Sequence, residues 1–442
     1  MRIATIGLCD PGYSENTAKA QYAANLEHFR SSKLFEIVDA GLQSDEFASG
    51  TAIDSLRQQH GTKPLDVLVL MQVAWARPAI LLQVIRTFSK LPMVLCSPGS
   101  EIVNGAIKSI APAAGAASTF PILQRHGIKL KFVWSSPGKP IDISKIVPFI
   151  KAAQAVNRLK GAKLGMVGFG DMRLQTTGFD VREIHENFGV EIESIDMLEL
   201  KNGIDRLSHQ ELDQCPLISN WTYVGQKPSH DLMKKILGSY IILDRMAEER
   251  GYVGVSIKCP TGVASVMGFT PCLVGALLAS KYHYVCENDI PGLLTQVILG
   301  LLSEKMSAYW ELYEIFDDSL LLGCCGFCPE TFTVKPYKIR TLEGFLTGAA
   351  CCSQVKTGDY TIARLGQQSS SRFVLQAIEG KAEPPPAWYE EACGTAQHPS
   401  VKFMPDCSIE QLVNGLLAQH FAVVPGLCEK EISEFKYLTN LG

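Results

Sequence analysis

Three places in this sequence carry residue types and spacing that point to chemistry. The first is KYHYVCENDIPG, residues 281–292, where an apolar run ends in Glu287, Asn288 and Asp289. Acids at the carboxyl end of a strand point into the crevice where open α/β sheets take ligands. The competing local explanation is that they cap the next helix and complement its dipole. The second is WELYEIFDD, residues 310–318, which contains Glu311 and Glu314. Between the two lie Ile290, Leu293, Leu294, Val297, Ile298 and Leu301, spaced as one buried helical face. About 13 helical residues travel roughly 20 Å, and about eight extended steps return roughly 26 Å, so Glu311 or Glu314 can come back beside Glu287. Two carboxylates meeting in a crevice repel and raise one pKa unless a cation lies between them. Taken alone, the acids of residues 310–318 are more often a solvated face. The third place is LLAQHFAVVPG, with His420 between a helix and an apolar strand. A lone His there is ordinarily structural. Beside two carboxylates it completes a mixed donor set that suits Mn²⁺ or a similar cation.

Other candidates are weaker on chemical grounds. Cys324, Cys325 and Cys328, with Cys351 and Cys352, suggest a zinc or iron-sulfur site, but adjacent cysteines reach one tetrahedral ion poorly and the two-residue spacing occurs once. Gly168-Phe169-Gly170 follows a predicted strand but lacks the third glycine of a dinucleotide fingerprint, so it reads as a tight strand-to-helix turn and no nucleotide cofactor is expected. Lys335, Lys338 and Arg340 lie along a predicted strand. They read as a solvated edge, or as the contact for an anionic substrate tail.

The elements that must position these groups follow from periodicity. Short apolar or β-branched runs at 2–6, 35–40, 66–72, 92–96 and 129–134 alternate with helical patterns, which predicts a parallel α/β unit. SSPGKP, residues 135–140, is turn-rich and precedes a helical pattern over 143–159. A second α/β unit starts at 163–168, with further strands at 191–196, 252–258 and 283–286 and helical spacing over 236–249. After about residue 306 the pattern turns to strands, at 320–322, 331–339, 359–365, 372–378 and 401–404, with a late helix over 409–418. The expectation is two doubly wound parallel-sheet domains of flavodoxin or Rossmann type, 1–140 and 141–305, followed by a β-rich, barrel-like domain, 306–442.

At 442 residues and 46% hydrophobic, the chain is long enough to bury several cores. Its 41 basic and 45 acidic residues are well mixed, which leaves no electrostatic footprint for nucleic acid or anionic lipid and favours a small-molecule partner. MRIATIGLCDPG reads as a first strand rather than a signal peptide. No apolar run is long enough to span a bilayer. The 14 cysteines fall mostly in apolar segments, so they are expected as reduced, buried thiols in a cytoplasmic protein.

Read in order, several blocks resemble the L-fucose isomerase and L-arabinose isomerase superfamily, particularly its shorter fucose-isomerase-like members. They are LKGAKLGMVGFGDMRLQTTGFDVREIHENFGVEIESIDMLEL, ERGYVGVSIKCPTG, FTPCLVGALL, VCENDIPGLLTQVILGLLS, VKTGDYTIARLG and AQHFAVVPG. Each is degenerate, but their order and spacing are jointly specific across nearly the whole chain. The resemblance implies a divalent-metal-dependent aldose-ketose isomerase. It implies a metal, Mn²⁺ or another divalent cation such as Mg²⁺ or Co²⁺, held by Glu287, Glu311 and His420, with Glu314 as the alternative second acid. It also implies a homo-oligomer, trimer or hexamer, in which Gln72, Trp75 or Arg77 faces a neighbour's substrate. Many relatives read W-H-C-G where this chain has Gly323-Cys324-Cys325-Gly326, so Cys324 replaces a common His and the sugar is left open.

The implied reaction runs on an open-chain monosaccharide through a cis-enediol, with Glu287 and Glu311 sharing the proton transfers in an order the sequence leaves open. Two alternatives stand beside it. One is an isomerase of an acidic or sulfonated sugar in the same fold, and the other is a non-catalytic sugar-binding or regulatory relative.

Overall fold

The computed structural model describes residues 1–213, 221–344, 346–369, 372–389, 391–392, 395–396 and 399–442. The chain divides into two compact units, Met1–Asn157 with Ser433–Thr439, and Arg158–Ile432 with Asn440–Gly442.

In the first unit, strands β1 (Arg2–Leu8), β2 (Glu36–Gln43), β3 (Val67–Gln72), β4 (Met93–Ser97) and β5 (Leu130–Trp134) form one parallel sheet in the order β2-β1-β3-β4-β5. That is the doubly wound order of flavodoxin-like sheets. Helices α1 (Glu15–Ser31), α2 (Glu46–Thr62), α3 (Pro78–Phe88), α4 (Pro112–Arg125) and α5 (Val147–Leu159) alternate with the strands. Separate apolar cores, one around Phe29 and Phe149 and one around Leu56 and Ile85, contain alternate residues of the central strands. Coverage on both faces explains why β3, VLVLMQ, is buried at every position. Gln72, offered above as facing a neighbouring subunit, is instead buried, bonding Ala74 O at 2.6 Å and accepting from Thr119 at 2.9 Å. A terminal helix, Glu429–Thr439, was not expected. Its Tyr437 hydroxyl accepts from Leu130 N at 3.0 Å, and its Glu434 pairs with Lys131.

The second unit opens with a four-stranded parallel sheet. Its strands β6 (Lys163–Val167), β7 (Glu191–Ile195), β8 (Tyr252–Ile257) and β9 (His283–Cys286) lie in the order β9-β8-β6-β7. Helices α6 (Val181–Phe188), α7 (His230–Arg250), α8 (Cys272–Leu278) and α9 (Ile290–Ser303) accompany it. Six strands then close an antiparallel barrel: β10 (Ala308–Ile315), β11 (Leu320–Gly323), β14 (Gly358–Ser369), β15 (Arg372–Glu383), β16 (Ser400–Pro405) and β17 (His420–Pro425), in the order β10-β11-β16-β15-β14-β17. The expected class, parallel α/β sheets followed by a barrel, is the one observed. The intervening β12 (Lys338–Leu342) and β13 (Gly348–Cys351) leave the barrel and join the short strand Thr222–Val224, with β12 in the middle. The strand expected over 331–339 therefore begins only at Lys338, after a 3₁₀ turn at Glu330–Phe332, and it is no edge.

Helix α9 explains the join between sheet and barrel. It packs on β8 and β9 on one side and on β14 and β17 on the other, so it is buried at every residue from Ile290 to Leu299. A helix apolar on one face only could not occupy that place.

Candidate functional site

Strand β9 delivers Glu287 through an unusual piece of backbone. Glu287 and Asn288 both take left-handed conformations, with φ of 63° and 53°. For non-glycine residues this costs roughly 1–2 kcal/mol apiece and persists only where the surroundings hold it. Here the Asn288 amide donates to Val167 O at 3.0 Å and Phe169 O at 3.2 Å. Asp289 then caps α9, accepting from Gly292 N at 3.0 Å. The turn leaves the Glu287 side chain buried rather than in solvent.

Glu311 and His420 arrive from the barrel. They are direct partners in the antiparallel register of β10 and β17. One turn of pairing later, β10 is irregular between Leu312 and Glu314, and Glu314 is exposed. The structure thus brings Glu311, and not Glu314, to Glu287. His420 Nε2 lies 3.6 Å from Glu287 Oε2 and 3.8 Å from Glu311 Oε1. Glu287 and Glu311 line a cavity of about 70 Å³ whose wall also includes Cys259, Cys272, Cys286 and Cys325.

Of the pair Cys324 and Cys325, it is Cys325 that lines this cavity. Its thiol donates to Glu311 Oε2 at 2.8 Å. Cys324 is buried beside Cys328, and burial together with that neighbour pushes its thiol well up. The segment Gly168-Phe169-Gly170 starts a loop that reaches α6 only at Val181, and this loop carries Asp171. Asp171 accepts from Cys259 N at 2.6 Å, Thr261 N at 3.2 Å and the Thr261 hydroxyl, which ties the loop to the turn after β8.

Behind His420 stands a network of which Asp289 was visible in the sequence only as a strand-end acid and helix cap. Asp289 Oδ2 accepts from the Tyr309 hydroxyl and pairs with Arg364, both fully buried, and lies 3.4 Å from His420 Nδ1. Arg364 also donates to Thr176 O at 2.8 Å. A Cβ on Gly292 would sit 2.7 Å from Asp289 Oδ2 and 2.8 Å from Arg364 Nη1, so only glycine leaves room for the pair on the first turn of α9. One signal for this network is in the sequence. Arg364 interrupts the apolar run of β14, and a charge in such a run demands a buried counter-charge.

The electrostatics separate the acids. Burial pushes Glu287 up to about 7. The charge of His420 opposes the shift, while Glu311, Asp171 and Asp289 add to it. Burial also resists charge on Asp289, but the Arg364 charge and hydrogen bond, with the nearby His420, outweigh it and hold that carboxyl well below the usual range. Burial thus disfavours the charged form of Glu287, while Arg364 favours that of Asp289.

The three donors converge without closing into a cage. Among the described residues, no group of three or more His, Cys, Asp or Glu is arranged as it stands to hold a metal ion. Two observations nevertheless fit a cation. Glu287 Oε2 is buried with no hydrogen-bond partner among the described residues. The set also combines two carboxylates with an imidazole, the donors that Mn²⁺, Mg²⁺ or Co²⁺ accept with positions left for substrate. No helix among the described residues is long and apolar enough to cross a membrane.

No family model matches the chain. Two curated proteins, both named sulfoquinovose isomerase, are similar to it. The one from Alkalicoccus urumqiensis is 20% identical over 87% of this chain and 86% of its own length. The one from Clostridium sp. (strain MSTE9) is 22% identical over 83% of each. Among solved structures, a branched chain amino acid ABC transporter protein from Thermus thermophilus with bound valine aligns over 72% of this chain and 67% of its own, at 13% identity and a TM-score of 0.17, too low to carry an argument.

Proposed function

We propose that this chain is an aldose-ketose isomerase whose substrate is an acidic, sulfonated sugar, with Glu287 and Glu311 as the catalytic carboxylates. The observation that carries the reading is the meeting of Glu287 and Glu311, from a sheet end and a barrel strand, at one cavity, with His420 Nε2 within 3.8 Å of both. The two relatives named sulfoquinovose isomerase support the reaction class over most of the chain's length, and they favour an anionic sugar over the neutral one that the fucose and arabinose isomerase resemblance implies.

The chemistry follows from the carboxyls. Isomerisation moves a proton from C2 to C1 of an open-chain aldose while the O2 hydroxyl loses its proton and O1 gains one, through a cis-enediol. The group that does this must give and take a proton at neutral pH within hydrogen-bond reach of both carbons. Glu287, a buried carboxyl, and Glu311 face the same cavity and are the groups there that can give and take it. Cys325 holds one Glu311 oxygen and leaves the other toward His420. A divalent cation held by Glu287, Glu311 and His420 would supply Lewis-acid polarisation of the sugar carbonyl. For the anionic tail, Lys338 and Arg340 share one face of β12, and neither has an ion-pair partner among the described residues.

The test is a panel of neutral, uronic and sulfonated aldoses, each assayed for ketose with Mn²⁺, Mg²⁺ or Co²⁺. Preferred turnover of the sulfonated hexose is expected. Turnover of neutral aldoses alone would overturn the anionic assignment. Sugar binding without turnover, in metal-replete protein, would overturn the enzyme.

A further inference from the structure

Asp289 takes no part in the proton transfers above, yet it is fully buried and three side chains converge on its Oδ2: Arg364, Tyr309 and His420. The ion pair with Arg364, itself fully buried, makes the carboxylate an acceptor with lone pairs only. The nitrogen of His420 that faces it is Nδ1, at 3.4 Å, longer than a formed hydrogen bond, so the attraction is that of an anion for an N–H dipole. The Tyr309 ring packs on the imidazole with centroids 4.7 Å apart, which fixes the plane of the ring. A ring that carries its proton on Nδ1 has a lone pair on Nε2. Here Nε2 faces Glu287 Oε2 and Glu311 Oε1, two further acceptors. A lone pair on Nε2 facing two carboxylate oxygens at 3.6 and 3.8 Å is repulsive until a cation joins them.

We infer that Asp289, anchored by Arg364 and Tyr309, is the positioning residue of the site, holding His420 as the Nδ1–H tautomer so that Nε2 is left to donate to a divalent cation shared with Glu287 and Glu311. The inference rests on the reading of those three side chains as the donors of such a cation. Its logic is that of outer carboxylates that orient metal-binding imidazoles elsewhere, where their loss costs 10- to 100-fold in metal affinity.

The test reads the imidazole directly. Metal-free protein with ¹⁵N-labelled histidine, at neutral pH, is expected to show the proton of His420 on Nδ1, with the resonance assigned by its loss in His420→Gln and by its contact with the Tyr309 ring. A proton on Nε2 in the wild-type protein overturns the inference. Asp289→Asn keeps the size and removes the charge. It is expected to abolish the single tautomer and to weaken Mn²⁺ binding, measured by calorimetry, by about 10- to 100-fold. Either reading left unchanged overturns the inference. Because Asp289→Asn strands the Arg364 charge and risks unfolding, Asp289→Asn/Arg364→Gln removes both charges together and is read the same way. An Nδ1–H wild-type ring in a protein that binds no Mn²⁺ leaves Asp289's hold on His420 standing, to be judged by the tautomer alone, and defeats the metal reading instead.

Discussion

Glu311 on β10 and His420 on β17 stand directly opposite one another in an antiparallel register, although more than a hundred residues separate them in the chain. Closure of the barrel makes them neighbours. Because side chains alternate along a strand, their shared face is set by the pairing and not by local sequence.

That register distinguishes two acids three residues apart. Glu311→Gln is expected to lower kcat by about 10²- to 10⁴-fold, the range for removal of a general acid or base. Glu314→Gln, at an exposed position past the irregularity in β10, is expected to leave kcat within about twofold, since surface changes away from the site act weakly. Steady-state kinetics of the two variants side by side checks this.

The left-handed pair at Glu287 and Asn288 needs its anchor. Asn288→Ala removes the two bonds to Val167 O and Phe169 O and keeps a side chain in a conformation it disfavours. A loss of about 1–3 kcal/mol in urea unfolding is expected, from the bonds and the orphaned carbonyls. Activity should fall as well, because the same turn aims Glu287.

The buried pair Arg364 and Asp289 should behave unlike the surface pairs. Arg364→Met leaves Asp289 charged and enclosed, and a loss of about 3–5 kcal/mol is expected. Lys19→Met removes a pair to the exposed Glu15, and a change under about 1 kcal/mol is expected. Denaturant titration of each variant gives the comparison.

His283 supplies a pH dependence independent of the site's own acids. It bonds the Ser307 hydroxyl through Nδ1 at 2.8 Å, and burial pushes its protonation down from the ordinary 6.5 to about 4. Between those values the unfolded chain takes up a proton that the folded chain refuses. Stability therefore falls as pH drops from 6.5 toward 4, and this contribution is flat outside the window. In thermal melts between pH 7.5 and 4.5, His283→Gln is expected to show a shallower decline in Tm than the wild type. An equal slope would contradict the assignment.

Much of this was legible in the residues. The alternation of apolar runs and helical spacing announced the parallel sheets, and the apolar strands after 306 announced the barrel. Glu287 was visible as an acid at a strand end. The choice between Glu311 and Glu314 was not, because it depends on a bulge and on a partner strand more than a hundred residues away. Lys338 and Arg340 looked like an edge because nothing local reveals that Thr222–Val224 pairs beyond them. Asp289 read as a helix cap, which it is through Oδ1, while its Oδ2 serves Arg364 and Tyr309 from elements distant in sequence. Cys324 drew notice because the family whose motifs this chain resembles often carries His there, but the thiol that reaches Glu311 is that of the next residue, Cys325.

The most direct measurement follows deuterium at C2 of a sulfonated aldohexose during turnover, in wild-type protein and in Glu287→Gln, with metal content determined on the same samples. The account predicts ketose formation with label lost to solvent or carried to C1 in the wild type, one divalent cation per chain, and loss of both exchange and product in Glu287→Gln. Full exchange and product formation by Glu287→Gln at saturating Mn²⁺ would contradict it.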